Sequence, residues 1–184
     1  GPGFGNAIPG LMHCYNSNTP LVHFTGQVGF REDGLKPNHD SQATLMTGSF
    51  TKWTHRIIDP TRVAYWTKKA IKDAMSYPQG PVVLEIPSNI QAVRTTAAQQ
   101  VGYTPNAIPE PLPYQANPAA VEKAVKMLLA AERPVIAGGQ DIWYDHAENE
   151  LLKFVELTNI PVITRRLGRG AVPENHPLAF KSAA

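Results

Sequence analysis

Cysteine, charge and long apolar runs are all scarce in this sequence. Its single cysteine, Cys14, excludes an intrachain disulfide and a zinc site built from several cysteines, and it fits a reducing, cytoplasmic compartment. Only 17% of the 184 residues are charged and the 17 Lys and Arg are scattered, which argues against a nucleic-acid partner. No apolar run approaches the roughly 20 residues that span a bilayer, so no membrane partner is expected. The first residues also lack the basic and apolar regions of a signal peptide.

Proline is abundant and marks where strands begin. Several of the 17 prolines directly precede apolar runs, and proline is tolerated at the first position of a strand. We therefore predict strands over residues 82–86, 134–137 and 161–164. A fourth apolar run, residues 20–27, ends in Gly-Gln and predicts a buried strand.

Two helix starts share one signature, an N-cap acceptor followed by proline at the first helical position. Asp59-Pro60 predicts a helix that runs to about Met75. Asn117-Pro118 predicts a helix with a one-sided apolar face made of Val121, Ala124, Val125, Leu128 and Leu129. A third helix is predicted near residues 145–158. Alternating strands and helices indicate an α/β fold with parallel sheets wound with helices.

The middle of the chain separates two α/β pieces. Residues 88–116 lose apolar periodicity and contain prolines at positions 105, 109, 111 and 113, which predicts an extended linker. Residues 1–87 and 117–184 then form two domains. About two strands are predicted in each, fewer than such sheets usually have, so we expect both to be partial domains.

Two segments near the first predicted strand have features of ligand sites. Gly1-Pro2-Gly3 predicts a glycine-rich turn into a helix that lets backbone approach a ligand, although a flexible chain end explains the same residues. Gln27 ends a strand, at the edge where parallel sheets bind ligands, or it simply begins a surface loop.

The polar loop over residues 29–44 contains the other candidates. His39, with Asp33 and Asp40 nearby in sequence, has the composition of an acid–base group, and a solvated surface histidine is the alternative. Lys52, further along, is either a cation at a pocket or a surface residue. The six histidines show no metal-ligand spacing, so no metal site is expected among these residues.

Gly138-Gly139-Gln140 follows a predicted strand and precedes a helix. Such a turn can face a nucleotide phosphate. The sequence has no G-x-G-x-x-G here, and a tight strand-to-helix turn explains the glycines equally well.

The order of these motifs resembles thiamine-diphosphate-dependent enzymes of the acetolactate synthase and benzoylformate decarboxylase type. The first part is similar to the second half of their pyrimidine-binding domain, through Gly1–Ala7, Tyr15–Ser17, Pro20–Val22, Thr25–Val28, Thr51–Trp53, Asp59-Pro60 and Gln79–Pro87. The second part is similar to the start of their middle domain, through Arg133–Gly139, Ile160–Thr164 and Gly168–Leu178. The ordered set is more specific than any single piece.

The resemblance implies an enzyme that forms or breaks carbon–carbon bonds of 2-oxo acids, with thiamine diphosphate and Mg²⁺ as cofactors. It further implies three domains per chain, assembled as a homo-oligomer, a dimer or tetramer. The catalytic glutamate on the aminopyrimidine would lie upstream of Gly1, and the Mg²⁺–diphosphate site downstream of Ala184. No catalytic residue is therefore expected here, and the 184-residue chain alone is expected to be inactive.

The resemblance also assigns site residues. Gly1, Pro2, Gly3 and Gln27 match segments beside the aminopyrimidine, and Lys52 matches a lysine at the mouth of the substrate channel. Asn38, His39 and Asp40 fall in register with the Phe-Gln-Glu triplet of acetolactate synthases, so polar groups replace an aromatic wall.

That departure leaves the substrate open. The alternatives are a 2-hydroxyacyl-CoA lyase or acetyltransferase of the same superfamily, a nucleotide- or flavin-binding module without catalysis, and a scaffold domain. FAD or ADP binding is expected in only some relatives.

Overall fold

A computed structural model describes residues 1–104 and 115–181. The chain divides into two compact units, Gly1–Pro113 and Tyr114–Ala184. Among the described residues, no helix has both the length and the apolar character needed to cross a membrane. Both units contain parallel strands flanked by helices, which confirms the predicted α/β class.

The first unit is a three-stranded parallel sheet in the order β1-β3-β2. Its strands are β1 Leu21–Gln27, β2 Trp53–Arg56 and β3 Pro81–Pro87. Its helices are α1 Pro2–Asn16, α2 Ala43–Met46, α3 Val63–Met75 and α4 Ser88–Gln91, with 3₁₀ turns at Pro60–Arg62 and Ala97–Gln99. The predicted strands at 20–27 and 82–86 are confirmed as β1 and β3. Strand β2 was not predicted.

Strand β3 forms the centre of the unit and is buried on both faces. Val82 and Leu84 pack into the cluster beneath α3, whereas Val83 packs into the cluster beneath α1. Side chains alternate between the two faces of a strand, so a continuous apolar run suits a central strand covered on both sides.

The start of the chain is a helix and not a turn. Proline at the first helical position suits helix α1, which begins at Pro2, so Gly3 and Gly5 lie within it. Each helical glycine costs about 0.5–1 kcal/mol relative to alanine. Phe4 and Leu11 are both buried, and each such burial contributes about 1.5–3 kcal/mol. Tertiary burial therefore outweighs local propensity, and the predicted glycine-rich turn was wrong.

Helix α3 begins as the sequence predicts. The side chain of Asp59 accepts a hydrogen bond from the backbone N–H of Thr61 at 2.9 Å, and Pro60 occupies the first position of the 3₁₀ turn that leads into the helix. Ala70 and Ala74 are buried against the sheet and form the inner face of the helix.

Part of the predicted linker lies outside the described residues, since the description omits 105–114. The part over 88–104 folds back onto α3. The N–H of Val101 donates to the carbonyl of Thr61 at 2.8 Å, and the side chain of Gln100 accepts from the N–H of Ala64 and donates to the carbonyl of Pro60. These bonds attach residues 88–104 to the first unit.

The second unit is also a three-stranded parallel sheet, in the order β4-β5-β6. Its strands are β4 Ile136–Gly138, β5 Val162–Thr164 and β6 Ala179–Lys181, and its helices are α5 Pro118–Ala130, α6 Asp141–Tyr144 and α7 Glu148–Thr158. The predicted strands and the predicted helix near 145–158 are confirmed within a few residues. Strand β6 and helix α6 were not predicted. The core forms where Val155 of α7 meets Val162 and Val172.

Helix α5 begins at the predicted cap but leaves its apolar face uncovered. The side chain of Asn117 accepts from the N–H of Ala119 at 2.9 Å. None of the residues of α5 is buried, and Leu129 is 80% exposed. The local sequence pattern determines which side of α5 is apolar. Which element packs against that side depends on residues distant in the sequence.

The backbone at the end of β4 lies in close contact with Gly168. A Cβ placed on Gly168 would lie 2.6 Å from the carbonyl oxygen of Gly139, which is closer than real Cβ atoms approach. The N–H of Arg165 donates to the carbonyl of Gly138 at 3.0 Å. A Cβ placed on Gly138 would lie 2.8 Å from Cδ1 of Ile142, whereas one on Gly139 would meet no atom within 4 Å, so close packing accounts for Gly138 and not for Gly139.

Candidate active-site cleft

A cleft of about 680 Å³ opens at the carboxyl end of β1 in the first unit. Its walls are the start of α1, the end of β1 and the loop that follows β1, and they include Gly1, Gly3, Gln27 and His39. Carboxyl ends of parallel strands are where ligands bind in such sheets. The structure thus brings together four of the predicted site residues.

A larger groove of about 790 Å³ lies between α3 and residues 86–104. It is lined mainly by aliphatic and threonine side chains, such as Val63, Ile90 and Val93. Functional clefts combine apolar walls with convergent polar groups, so we assign the site to the smaller cleft.

His39 lies directly against the start of α1. A Cβ placed on Gly1 would be 2.7 Å from the Cα of His39 and 3.2 Å from its Cβ. Position 1 therefore has no room for a side chain while the loop keeps this position. Because Gly1 has no side chain, the loop at His39 can pack directly against the start of α1, and both segments line the cleft.

Gln27 is buried, with 5% of its surface exposed, and it holds the loop with both ends of its amide. Its Nε2 donates to Asp40 Oδ1 at 2.8 Å, and its Oε1 accepts from the N–H of Ser41 at 3.3 Å. The amide group thus fixes the loop at the edge of the cleft.

Asp40 is the acceptor at the centre of that loop. Besides Gln27, its carboxylate accepts from the N–H of Gly34 at 3.2 Å and from Nε2 of Gln42 at 2.7 Å. Partial burial is the largest single influence and opposes ionisation, but the hydrogen bonds together outweigh it and lower the pKa of Asp40 below its ordinary value. The carboxylate is therefore charged at neutral pH and acts as an acceptor.

An ion-pair network behind the loop was not predicted from the sequence. Glu85 of β3 is fully buried, and its Oε1 accepts from Nε of Arg56 at 2.5 Å. Arg56 also donates from Nη1 to Asp33 in the loop. Burial is the largest single influence on the pKa of Arg56 and lowers it. The carboxylates of Glu85 and Asp33 together outweigh burial, so the pKa of Arg56 is raised. The only hint in the sequence was a glutamate inside an otherwise apolar strand.

His23 contributes an imidazole to the wall of the cleft. It lies on β1, and its ring centroid is 5.9 Å from that of Phe4. Burial lowers the pKa of His23, so the ring is neutral at physiological pH. A neutral imidazole can both donate and accept a hydrogen bond.

Two predicted residues stand apart from this arrangement. Asn38 is exposed beside His39. Lys52 lies at the opposite, amino edge of the sheet, about 20 Å away by the length of a seven-residue strand. Its Nζ donates to the carbonyls of Asp73 and Ser76 at 2.5 and 2.6 Å, at the end of α3. Burial lowers the pKa of Lys52, opposed by Asp73.

Within residues 1–104 and 115–181, no group of three or more His, Cys, Asp or Glu side chains is arranged to hold a metal ion. The cleft presents a glycine wall, the buried amide of Gln27 and the neutral imidazole of His23, and the ionised carboxylate of Asp40 holds the loop beside it. This set can bind and orient a polar ligand.

Comparisons with known proteins give consistent relatives for both units. Residues 121–184 match the family described as thiamine pyrophosphate enzyme, central domain. The chain is 30% identical over 188 residues to a probable acetolactate synthase large subunit of Methanococcus aeolicus, covering 98% of this chain and 30% of the relative. It is 25% identical over 187 residues to 2-hydroxyacyl-CoA lyase 1 of Dictyostelium discoideum, covering 100% of this chain and 32% of the relative.

Among solved structures, the chain is similar to the X-ray structure of a protein from Mycobacterium smegmatis described as a thiamin diphosphate-dependent enzyme. The TM-score is 0.72 at 24% identity, over 98% of this chain and 34% of that one. This likeness supports the fold. The chain spans about a third of the length of the relatives it matches.

Proposed function

Because this chain belongs to the thiamine-diphosphate-dependent enzyme family, we propose that it forms part of an enzyme that makes or breaks carbon–carbon bonds of 2-oxo acids. The observation that carries the proposal is the similarity to acetolactate synthase large subunits over 98% of the chain. The match to the family's central domain covers the second unit, and the cleft at the end of β1 lies in the first.

The cleft suits a flat heteroaromatic ring. A Cβ placed on Gly3 would meet no atom within 4 Å, so this wall of the cleft is open. A glycine wall lets a ring approach the backbone closely. We propose that Gly1, Pro2, Gly3 and Gln27 lie beside the aminopyrimidine of the cofactor. Bound thiamine diphosphate would supply the carbanion stabilisation that such reactions need.

The same fit does not extend to Mg²⁺. The described residues offer no cluster of carboxylates for the ion, and a diphosphate needs such an ion as its counter-charge. We propose that residues outside these 184 hold Mg²⁺ and supply the glutamate that activates the cofactor.

The chain's own residues would bind and orient the substrate. His39 faces the cleft, Asn38 is exposed beside it, and the charge of Asp40 is committed to Gln27 and Gln42. Imidazole and amide donors suit the carboxylate and carbonyl of a 2-oxo acid. Lys52 lies at the far edge of the sheet, so a role at a substrate channel would require approach from another part of the assembled enzyme.

A second candidate is the cleavage of 2-hydroxyacyl-CoA. The similarity to the Dictyostelium lyase covers the whole chain, and the polar Asn38-His39-Asp40 segment replaces the aromatic wall that the resemblance to acetolactate synthases leads us to expect. Flavin binding has less support because the sequence has no G-x-G-x-x-G at Gly138-Gly139. A cytoplasmic homo-oligomer remains our expectation for the assembled enzyme.

The deciding experiment uses the full-length protein. Thiamine diphosphate and Mg²⁺ are titrated by calorimetry, and turnover is measured with pyruvate and with a 2-hydroxyacyl-CoA. We expect cofactor binding together with consumption of one of the two substrates, and the preferred one assigns the reaction. Absence of thiamine diphosphate binding would contradict the proposal. The 184-residue chain, as a control, is expected to show no turnover.

A further inference from the structure

The loop over residues 29–42 is tied to the sheet by a continuous polar network. Its root is Glu85, which is fully buried in β3. Arg56, at the end of β2, contacts Glu85 through Nε and Asp33 through Nη1. The guanidinium thus bridges a carboxylate of the core and a carboxylate of the loop.

Gln42 extends the network along the loop. Its Nε2 donates to Asp33 Oδ1 at 3.3 Å and to Asp40 Oδ1 at 2.7 Å. Asp40 in turn accepts from Gln27 at the end of β1. The contacts therefore connect the carboxyl ends of all three strands through the loop that carries Asn38 and His39.

Two further features show that the loop is held in one geometry. Gln42 has φ 47° and ψ 43°, in the left-handed region that non-glycine residues seldom occupy. The N–H of Thr44 donates to Glu85 Oε2 at 3.1 Å. The same buried glutamate therefore anchors the loop directly through Thr44 and indirectly through Arg56 and Asp33.

We propose that Arg56, Asp33 and Gln42 are positioning residues, which set the placement of His39 at the cleft and thereby determine which 2-oxo acid is accepted. The inference rests on the proposed function for its substrate. A planar guanidinium fixes the direction of each carboxylate it contacts, whereas a lysine ammonium would not. The alternative is a network that only stabilises the fold.

The test must separate positioning from stability, because removing Arg56 leaves a buried charge without its partner and destabilises the fold. Asp33→Asn weakens only the outer contact, since Arg56 keeps Glu85. In the full-length enzyme we expect Asp33→Asn to raise KM for pyruvate at least about fivefold, with kcat changed less than about twofold. We also expect the ratio of kcat/KM between pyruvate and phenylglyoxylate to change by a similar factor. Asp33→Glu keeps the charge, so its KM should lie closer to the wild-type value than the KM of Asp33→Asn does. Glu132→Gln, at an exposed position, is the matched control.

A pair of substitutions at one position sharpens the test. Gln42→Ala and Gln42→Gly lose the same bridge, but only glycine relieves the positive φ. We expect equal increases in KM from the two variants and a higher melting temperature for the glycine variant. Unchanged KM in Asp33→Asn and in both Gln42 variants would overturn the inference, as would KM changes that simply follow the melting temperature.

Hydrogen exchange distinguishes this inference from the proposed function. The amides of Gly34 and Ser41 are bonded to Asp40 and Gln27. In Asp33→Asn they should exchange at least about tenfold faster, while amides of β3 are unchanged. If the wild-type enzyme turned over no 2-oxo acid, the proposed function would fail and this exchange pattern would still decide whether the network positions the loop. Unchanged exchange at both amides would overturn it.

Discussion

In residues 1–104 the carboxyl edge of the sheet is held by charged side chains, whereas in residues 115–181 the same edge is held by backbone. Arg56 joins Glu85 to the loop after β1 in the first unit. In the second unit Gly168 lies against Gly139, and Arg165 donates its own N–H to Gly138. Both sheets are parallel with three strands, so the topology does not dictate how the edge is closed. Where side chains hold the edge, substitutions can change its polar groups while the backbone keeps its arrangement.

The largest effect expected from this contrast is at two arginines, Arg56 at the end of β2 and Arg165 directly after β5. Arg56→Met leaves the carboxylate of Glu85 buried without a counter-charge, which should cost about 3–5 kcal/mol of unfolding free energy. Arg165 is exposed, and Arg165→Met should change stability by less than about 0.5 kcal/mol. Hydrogen exchange of β3 and β5 amides in the full-length protein measures the change in unfolding free energy for each variant. A cost below about 1 kcal/mol for Arg56→Met would mean that water reaches Glu85.

A second contrast concerns how well each unit covers its apolar side chains. Leu84 in β3 is fully buried, so Leu84→Ala should cost about 2–5 kcal/mol. Leu129 in α5 is 80% exposed, and Leu129→Ala should cost under about 0.5 kcal/mol. Exchange of the amides of the two elements in the full-length protein gives the comparison. A large cost at Leu129 would show that another segment covers α5 in the whole enzyme.

The third effect is on specificity. His39 lines the cleft, so His39→Ala should shift relative kcat/KM between 2-oxo acids by more than about tenfold, or roughly 1.4 kcal/mol. Leu35→Ala, an exposed position in the same loop, is the control. Steady-state kinetics of the full-length enzyme with pyruvate and phenylglyoxylate provide the measurement. A small and uniform effect on all substrates would reduce His39 to a surface residue.

The smallest effect distinguishes the two helix caps. Hydrogen bonds from Thr61 are the main cause that lowers the pKa of Asp59 below its ordinary value of 3.8. A lowered folded pKa means that the cap contributes stability above the unfolded pKa and loses it as pH falls through the folded pKa. Asn117 forms the equivalent cap without a titrating group.

Opening of α3 should therefore become easier as pH falls below about 4, while opening of α5 should not respond through its cap. Hydrogen exchange measured from pH 3 to 6 tests this, with Asp59→Asn as the variant that should remove the response of α3. If the exchange of α3 kept its acid dependence in that variant, another carboxylate would be responsible.

The sequence was sufficient for elements whose signals are local. Asp59-Pro60 and Asn117-Pro118 predicted two helix starts, and prolines before apolar runs predicted strands. Strand β2 was missed because Trp53–Arg56 is short and only half-buried, so it has no apolar run to detect. The helix at Gly3 was missed because its stability comes from the burial of Phe4 and Leu11 against distant residues.

The structure brings part of the predicted residue set together. Gly1, Gln27 and His39, which the resemblance assigned to cofactor and substrate, line one cleft, and their roles there stay predictions. The network behind them was not predictable because Arg56 and Glu85 are 29 residues apart and Arg56 and Asp33 are 23 apart. No local pattern records which of several acidic residues a given arginine will meet. Lys52 shows the converse, since its place in the sequence gave no sign that it closes the end of α3.

The backbone contact at Gly168 has a consequence for how the sequence of this protein can drift. Any side chain at position 168 would collide with Gly139, whereas Gly5 and Gly10 have open space around them. In a saturation library, position 168 should return glycine almost alone, and positions 5 and 10 should accept alanine with a gain in helix propensity. Glycines that look alike in the sequence would thus diverge at very different rates.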